Sequence, residues 1–187
     1  MKEGNVKTEN IKATYRRVVT AEVQGKSVIQ SDELLQNYNF ETVPGYIHRL
    51  VWANSSIPDP SQQQKMDRYP ESVVPGPGGT SLHIVTFPPS SIFEGPSFDG
   101  EAARKEALSR LRGLADHFEE EDPAMNKTNT VDYAVLLEGE IWLELDEGKT
   151  VHLKKGDVVV QNGTRHAWRN KGTASVTMLF FLNGAKE

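Results

Sequence analysis

Two side chains in the C-terminal half of the chain have the chemistry to move a proton: His166 in "GDVVVQNGTRHAWRN" (156–170) and Asp132 in "MNKTNTVDYAVLLEG" (125–139). Imidazole titrates near neutrality, and a carboxylate aimed into an apolar interior has its pKa raised unless it is paired. Such a pair suits general base and general acid work, or an aspartate that orients the imidazole. The plainer readings stay open beside these. His166 would then be a buried histidine satisfied by a neighbour, and Asp132 a residue that caps a turn or pairs with an arginine.

These residues need strands to position them. A strand over 165–170 puts His166, Trp168 and Asn170 on one face and Ala167 and Arg169 on the other, because successive side chains alternate. The same alternation groups Asn126, Thr128, Thr130, Asp132, Ala134 and Leu136, a polar end that fades into an apolar interior. His166 and Asp132 are therefore the candidate catalytic residues, with Asn126, Thr128, Trp168 and Asn170 around them as the pocket. His83 in "SLHIVTF" joins the candidate pocket residues if its strand turns it inward. His48, His117 and His152 sit on other predicted elements, and His152, between Val151 and Leu153, is expected to face outward. Trp142 could flank a flat ligand together with Trp168, although packing is the duller explanation.

From residue 130 onward, short runs of β-branched and aromatic residues alternate with Gly or Asn, the pattern of an all-β sandwich or barrel. Within "EIWLELD", Ile141, Leu143 and Leu145 share the buried face and Trp142 the wetter one. Upstream, "YRRVVTAEVQGKSVIQSD" reads as a hairpin about Gly25, and "GYIHRLVWAN" and "TSLHIVTFPP" as strands. Residues 54–79 hold five of the ten prolines and predict a long irregular loop. The one strong helix is expected over 101–121, with Ala103, Ala107, Leu111, Leu114 and Phe118 as its apolar stripe, Gly100 or Asp99 as its cap and Pro123 at its end. Residues 1–14 read as a polar arm. The acidic run at 119–122 reads as a solvated turn.

With 187 residues the expectation is a single domain over 1–187, made of the arm, N-terminal strands and loop over 15–79, and a barrel over 80–183. The formal net charge of −5 supplies no basic field for nucleic acid or an anionic membrane, which points to a small-molecule partner. The chain has no cysteine, which removes disulfides, thiolate metal sites and cysteine nucleophiles together. No apolar run suggests an export signal or membrane span, so a cytoplasmic protein is expected.

The pairing of "NKTNTVDYAVLLEGE" with "GDVVVQNGTRHAWRN" resembles the two motifs of the cupin superfamily, in particular its small conserved-barrel members. Gly139 matches the closing glycine of the first motif and Asp132 its acid position, while Asn126 and Thr128 stand where that motif carries histidines. Gly163, His166 and Asn170 match the second motif; its segment from Gly156 is one residue short and lacks the usual proline. The resemblance implies a double-stranded β-helix, a jelly-roll barrel with extra N-terminal strands and one inserted amphipathic helix, commonly as a homodimer.

Metal-binding cupins hold their ion with two or three histidines and a carboxylate, and this pattern keeps one of each. No cofactor is therefore expected, a weak or atypical divalent metal being the alternative. Three functions stay open. One is a metal-independent acid/base enzyme of lyase or isomerase type, acting by dehydration, decarboxylation or cyclisation in specialised metabolism or catabolism. The second is a metal-dependent oxygenase or isomerase with His166, Asp132 and a further donor such as His83. The third is a non-catalytic small-molecule binding protein.

Overall fold

The computed structural model describes residues 15–60, 66 and 69–186; the arm read over 1–14 lies outside the described residues. The chain divides into two compact units, 1–36 and 37–187. In the first, β1 (Arg16–Val23) and β2 (Lys26–Leu34) pair antiparallel. Their two-residue turn is Gln24–Gly25, as the glycine-centred pattern predicts.

The second unit carries the remaining strands: β3 (Tyr38–Asn39), β4 (Ile47–Asn54), β5 (Thr80–Phe87), β6 (Thr130–Glu138), β7 (Glu140–Glu144), β8 (Thr150–Lys154), β9 (Val158–Asn162), β10 (Ala167–Arg169) and β11 (Val176–Gly184). They form a six-stranded sheet in the order β3-β4-β5-β11-β6-β9 and a three-stranded sheet in the order β10-β7-β8. The inner faces meet in one core. Ala134, Leu136, Val176 and Met178 of the larger sheet pack with Ile141, Leu143 and Leu153 of the smaller. This is an all-β jelly-roll barrel with one helix, as the resemblance implied.

Alternation decides which side chains point inward. Ile141 and Leu143 are buried as expected. Trp142 lies on the outer face and stacks on His152, with ring centroids 4.2 Å apart. Trp142 and Trp168 therefore do not flank a common ligand, and His152 faces outward as expected.

Helix α1 spans Gly100–Arg110, with the Asp99 carboxylate accepting from the amide of Ala102 at 3.0 Å. The helix stops well short of the expected 121. Two tertiary contacts end it. The amide of Val73 takes the carbonyl of Arg112 at 2.8 Å, which a continuing helix would need for itself. Gly113 follows at φ +77°, and a Cβ there would come within 2.0 Å of Ser72 Oγ. The apolar spacing nevertheless continues through a 3-10 turn at Ala115–His117, so that Leu111 and Ala115 pack with Phe40 and Val43 in a second core cluster. Asp99→Ala should cost about 1 kcal/mol through the lost cap, with Asp99→Ser retaining most of it. Urea unfolding of the two variants checks this; equal loss in both would show that the carboxylate caps nothing of consequence.

Candidate active site

Between the sheets and α1 lies a cavity of about 790 Å³. Its walls are mainly apolar: Val85, Phe87, Phe180, Leu182 and Trp168 from the strands, and Ala103 and Ala107 from the helix. The helix is thus a wall of the cavity. Asp132, His166, Asn126, Thr128, Trp168, Asn170 and His83, the residues expected from the pattern, all line it. His48 lines it as well, a position the sequence pattern did not single out.

Asp132 projects from β6, between Leu182 of β11 and Gln161 of β9. It is 7% exposed, and its Oδ1 has no hydrogen-bond partner among the described residues. Burial pushes the carboxyl up to about 6, against a smaller opposing effect of the Thr130 hydroxyl that bonds to it. A carboxylate only accepts, so Thr130 donates to Asp132 and is free to accept from Thr128 Oγ1 at 2.8 Å. Thr128, Thr130 and Asp132 form a short hydroxyl relay along one strand face.

His166 immediately precedes the short strand β10 and is tied to Asn126 by reciprocal backbone bonds of 2.9 and 3.0 Å. Its Nδ1 lies 2.9 Å from the carbonyl of Thr164. A carbonyl cannot donate, so Nδ1 carries the proton and Nε2 is the acceptor in the neutral ring. Burial lowers the imidazole pKa, with the Thr164 bond opposing it in part. The ring stands edge-on to Trp168 at 5.7 Å, and Trp168 in turn meets Phe180 at 5.5 Å. Its neutral form dominates at physiological pH, leaving a base beside an aromatic wall.

Asn170 lines the cavity with its side-chain amide bonded to backbone. Its Nδ2 donates to the carbonyls of Phe87 and Ala174 at 3.2 and 2.8 Å, and its Oδ1 accepts from Gly172 at 3.1 Å. With its amide committed to backbone, it holds the wall together rather than offering a free polar group. The Asn126 side-chain amide makes long contacts of 3.5 Å to the carbonyls of Ala124 and His166.

Two arginines brace the segment between α1 and β6. Arg169 pairs with Asp122 and with Glu144 at 2.7 Å; Arg165 pairs with Glu119 at 2.5 Å and with Asp146 at 2.9 Å. Hydrogen bonding to these guanidinium groups holds the Glu119 and Asp122 carboxyls below their ordinary range. Of the acidic run expected as a solvated turn, Glu119 and Asp122 are therefore clamped, while Glu120 and Glu121 are exposed. Only Arg169 and Asp122 of these reach the cavity wall, together with Glu144.

A metal ion does not fit this donor set. Asn126 and Thr128 offer neutral oxygens, the Thr128 hydroxyl is bonded to Thr130, and among the described residues no three His, Asp or Glu side chains converge as ligands. Among the described residues, no helix is long and apolar enough to cross a membrane.

Residues 119–182 match the Cupin_2 family, a cupin domain. Over 63 residues the chain is 51% identical to phomopsin biosynthesis cluster protein C' of Diaporthe leptostromiformis, covering 33% of each chain. Over 61 residues it is 49% identical to oryzines biosynthesis cluster protein J of Aspergillus oryzae, covering 33% of this chain and 34% of the relative. These matches span about a third of the relatives' own length. A longer alignment, 23% identical over 170 residues, joins 89% of this chain to 70% of the cupin-domain-containing oxidoreductase fogC of Aspergillus ruber. Among solved structures, a Cupin 2 conserved barrel domain protein from Salinispora arenicola covers 65% of this chain and 74% of its own, at 14% identity and a TM-score of 0.37.

Proposed function

Since this chain is a member of the cupin superfamily, we propose that it binds a small organic molecule in its barrel and acts on it by metal-independent acid/base chemistry, as a lyase or isomerase of specialised metabolism. The observation that carries this reading is the Asp132 carboxyl. It is buried, its Oδ1 is unpartnered, and it titrates at about 6, facing a cavity that also holds a neutral His166. A carboxyl poised near neutrality can give or take a proton without a large penalty either way.

In this reading His166 Nε2 accepts a proton from a carbon next to a carbonyl of the ligand. Protonated Asp132 gives its proton to the developing oxyanion or departing hydroxyl. The Thr128–Thr130 relay holds the carboxyl in place, Trp168 and Phe180 hold the ligand's flat face, and the apolar walls keep water from competing. The names of the biosynthesis-cluster relatives support a substrate from specialised metabolism.

The test is hydrogen–deuterium exchange at carbon. A panel of small 1,3-dicarbonyl compounds is incubated in D2O with the wild-type protein, His166→Ala and Asp132→Asn, and followed by proton NMR. Exchange with the wild type and a loss of about 100-fold in either folded variant is the expected result. Equal rates in wild type and His166→Ala would sink the mechanism.

A second reading, a metal-dependent oxygenase or isomerase, is favoured by relatives named as cupin-domain-containing oxidoreductases. It requires His166, Asp132 and a further donor such as His83 to act as ligands, and the donor set argues against it. Near-stoichiometric iron, manganese, nickel or zinc in the purified protein, lost with His166→Ala, would bring it to the front.

A further inference from the structure

The side of the cavity formed by β4 and β5 has polar groups that the acid/base chemistry does not use. Ser81 Oγ donates to the carbonyl of Val73 at 2.9 Å, so its one proton is committed. The 2.7 Å contact between Ser81 Oγ and His83 Nε2 must then be an N–H donated by the imidazole. That fixes the tautomer: in the neutral ring, Nδ1 of His83 is a bare acceptor. Val73 is in turn held by the carbonyl of Arg112, so the device is anchored at both ends.

His83 is only 4% exposed, yet among the described residues its Nδ1 has no hydrogen-bond partner. The ring of His48 lies 5.0 Å away and is itself buried. Burial holds both imidazoles neutral, lowering His83 to about 4 and His48 well below its ordinary value. Around them the wall is apolar, with Val85, Phe180 and Leu182. An unsatisfied neutral acceptor in such a wall discriminates. It suits a hydroxyl or amide N–H, and it offers nothing to a carboxylate or phosphate.

We propose that Nδ1 of His83, with His48 beside it, is a recognition subsite that accepts a hydrogen bond from a hydroxyl or amide N–H on an otherwise apolar ligand. This rests on the reading of the cavity as a small-molecule site and adds a substrate class to it. His83 pairs with Phe180 and Asp132 with Leu182, on strands separated by β11. The two poles are thus roughly 12 Å apart at the backbone, two strand spacings across the sheet and two residues along it. The ligand is a molecule of at least two fused rings' length, with a proton donor at one end and its reactive carbonyl at the other.

The probes are 2-naphthol and its methyl ether, 2-methoxynaphthalene, titrated into the full chain and followed by fluorescence. The naphthol is expected to bind ~10-fold more tightly than the ether, the worth of one buried hydrogen bond. In His83→Phe the ratio should fall to about one with the ether's affinity kept; in Asp132→Asn the ratio should stand. Equal binding of the two probes by the wild type overturns the subsite, as does a ratio that survives His83→Phe. Binding of neither probe overturns the cavity reading beneath it. A measurement without a variant guards against misfolding: in wild-type protein labelled with 15N-histidine, the naphthol and not the ether should shift the Nδ1 resonance of His83. A resonance indifferent to both ligands while they bind also overturns the proposal.

Discussion

Asp132→Asn should gain stability relative to the wild type as pH rises, by about 2 kcal/mol between pH 4 and pH 8. The folded protein binds this proton more tightly than the unfolded chain, at about 6 against 3.8. A carboxyl raised in this way contributes most to stability below the unfolded value, and that contribution is lost as pH rises through the folded one. The gap corresponds to about 3 kcal/mol in full, most of it falling within that window. Asparagine has no charge to desolvate and keeps the contact to Thr130. Its amide places a donor where Oδ1 has no partner, a penalty independent of pH that cancels when the two pH values are compared. Urea unfolding of both proteins at the two pH values measures the effect. A difference that does not move with pH would mean that Asp132 is not held near 6, and the proton-transfer reading would lose its main support. The variant that gains in stability should be the one that loses exchange activity, because a buried carboxylate kept for chemistry is a strain on the fold.

Gly184→Ala should be the most damaging of the small substitutions, costing about 3 kcal/mol or more. A Cβ at Gly184 would lie 1.8 Å from the carbonyl oxygen of Gly76 and 2.8 Å from that of Pro75. Both are backbone atoms, so no rotamer change relieves the clash. The approach is close because the end of β11 and the turn before β5 exchange hydrogen bonds: Gly78 donates to the carbonyl of Gly184 at 3.2 Å, and Gly184 to that of Gly79 at 3.0 Å. Thermal unfolding of Gly184→Ala against the wild type, with Gly148→Ala as a control where no neighbour lies within 4 Å of the added Cβ, checks the prediction. Because Gly148 has φ +66°, the control carries only local backbone strain. Similar losses in the two would show that the Gly76–Gly184 contact is not what holds the turn.

The legible half of the site is the half built on alternating strands. Asp132 was reachable because β6 buries one face, so that position in the strand fixes direction. His166, one residue before β10, was reachable through the motif spacing and not through burial, since Ala167 beside it is buried as well. His48 was not reachable by that route. The first four residues of β4 are all buried, His48 and Arg49 alike, and alternation carries no information where both faces are covered. The helix was overextended because its apolar spacing runs on through Leu114 and Phe118 while its hydrogen bonding does not. What stops it is Val73, nearly 40 residues upstream, and a local pattern cannot contain that contact. Asn170 shows a related limit. Its position on the pocket face could be read from the strand, but the commitment of its amide to Phe87, Gly172 and Ala174 could not.

The order of the large sheet has a consequence for how the protein comes into being. β11, the last of these strands in chain order, sits between β5 and β6 with eight residue pairs on each side. During synthesis β5 and β6 therefore leave the ribosome without the strand that joins them, each with an open edge of unpaired amides and carbonyls. The sheet closes only when β11 arrives, joining residues 89 to 103 positions apart between β5 and β11, a long-range pairing of the kind that folds slowly. The acid pole on β6 and the imidazole pole on β5 come to stand on one face of one sheet only after that closure. The nascent chain thus carries its chemistry on two open-edged pieces of sheet, the form most exposed to mispairing with a neighbouring copy.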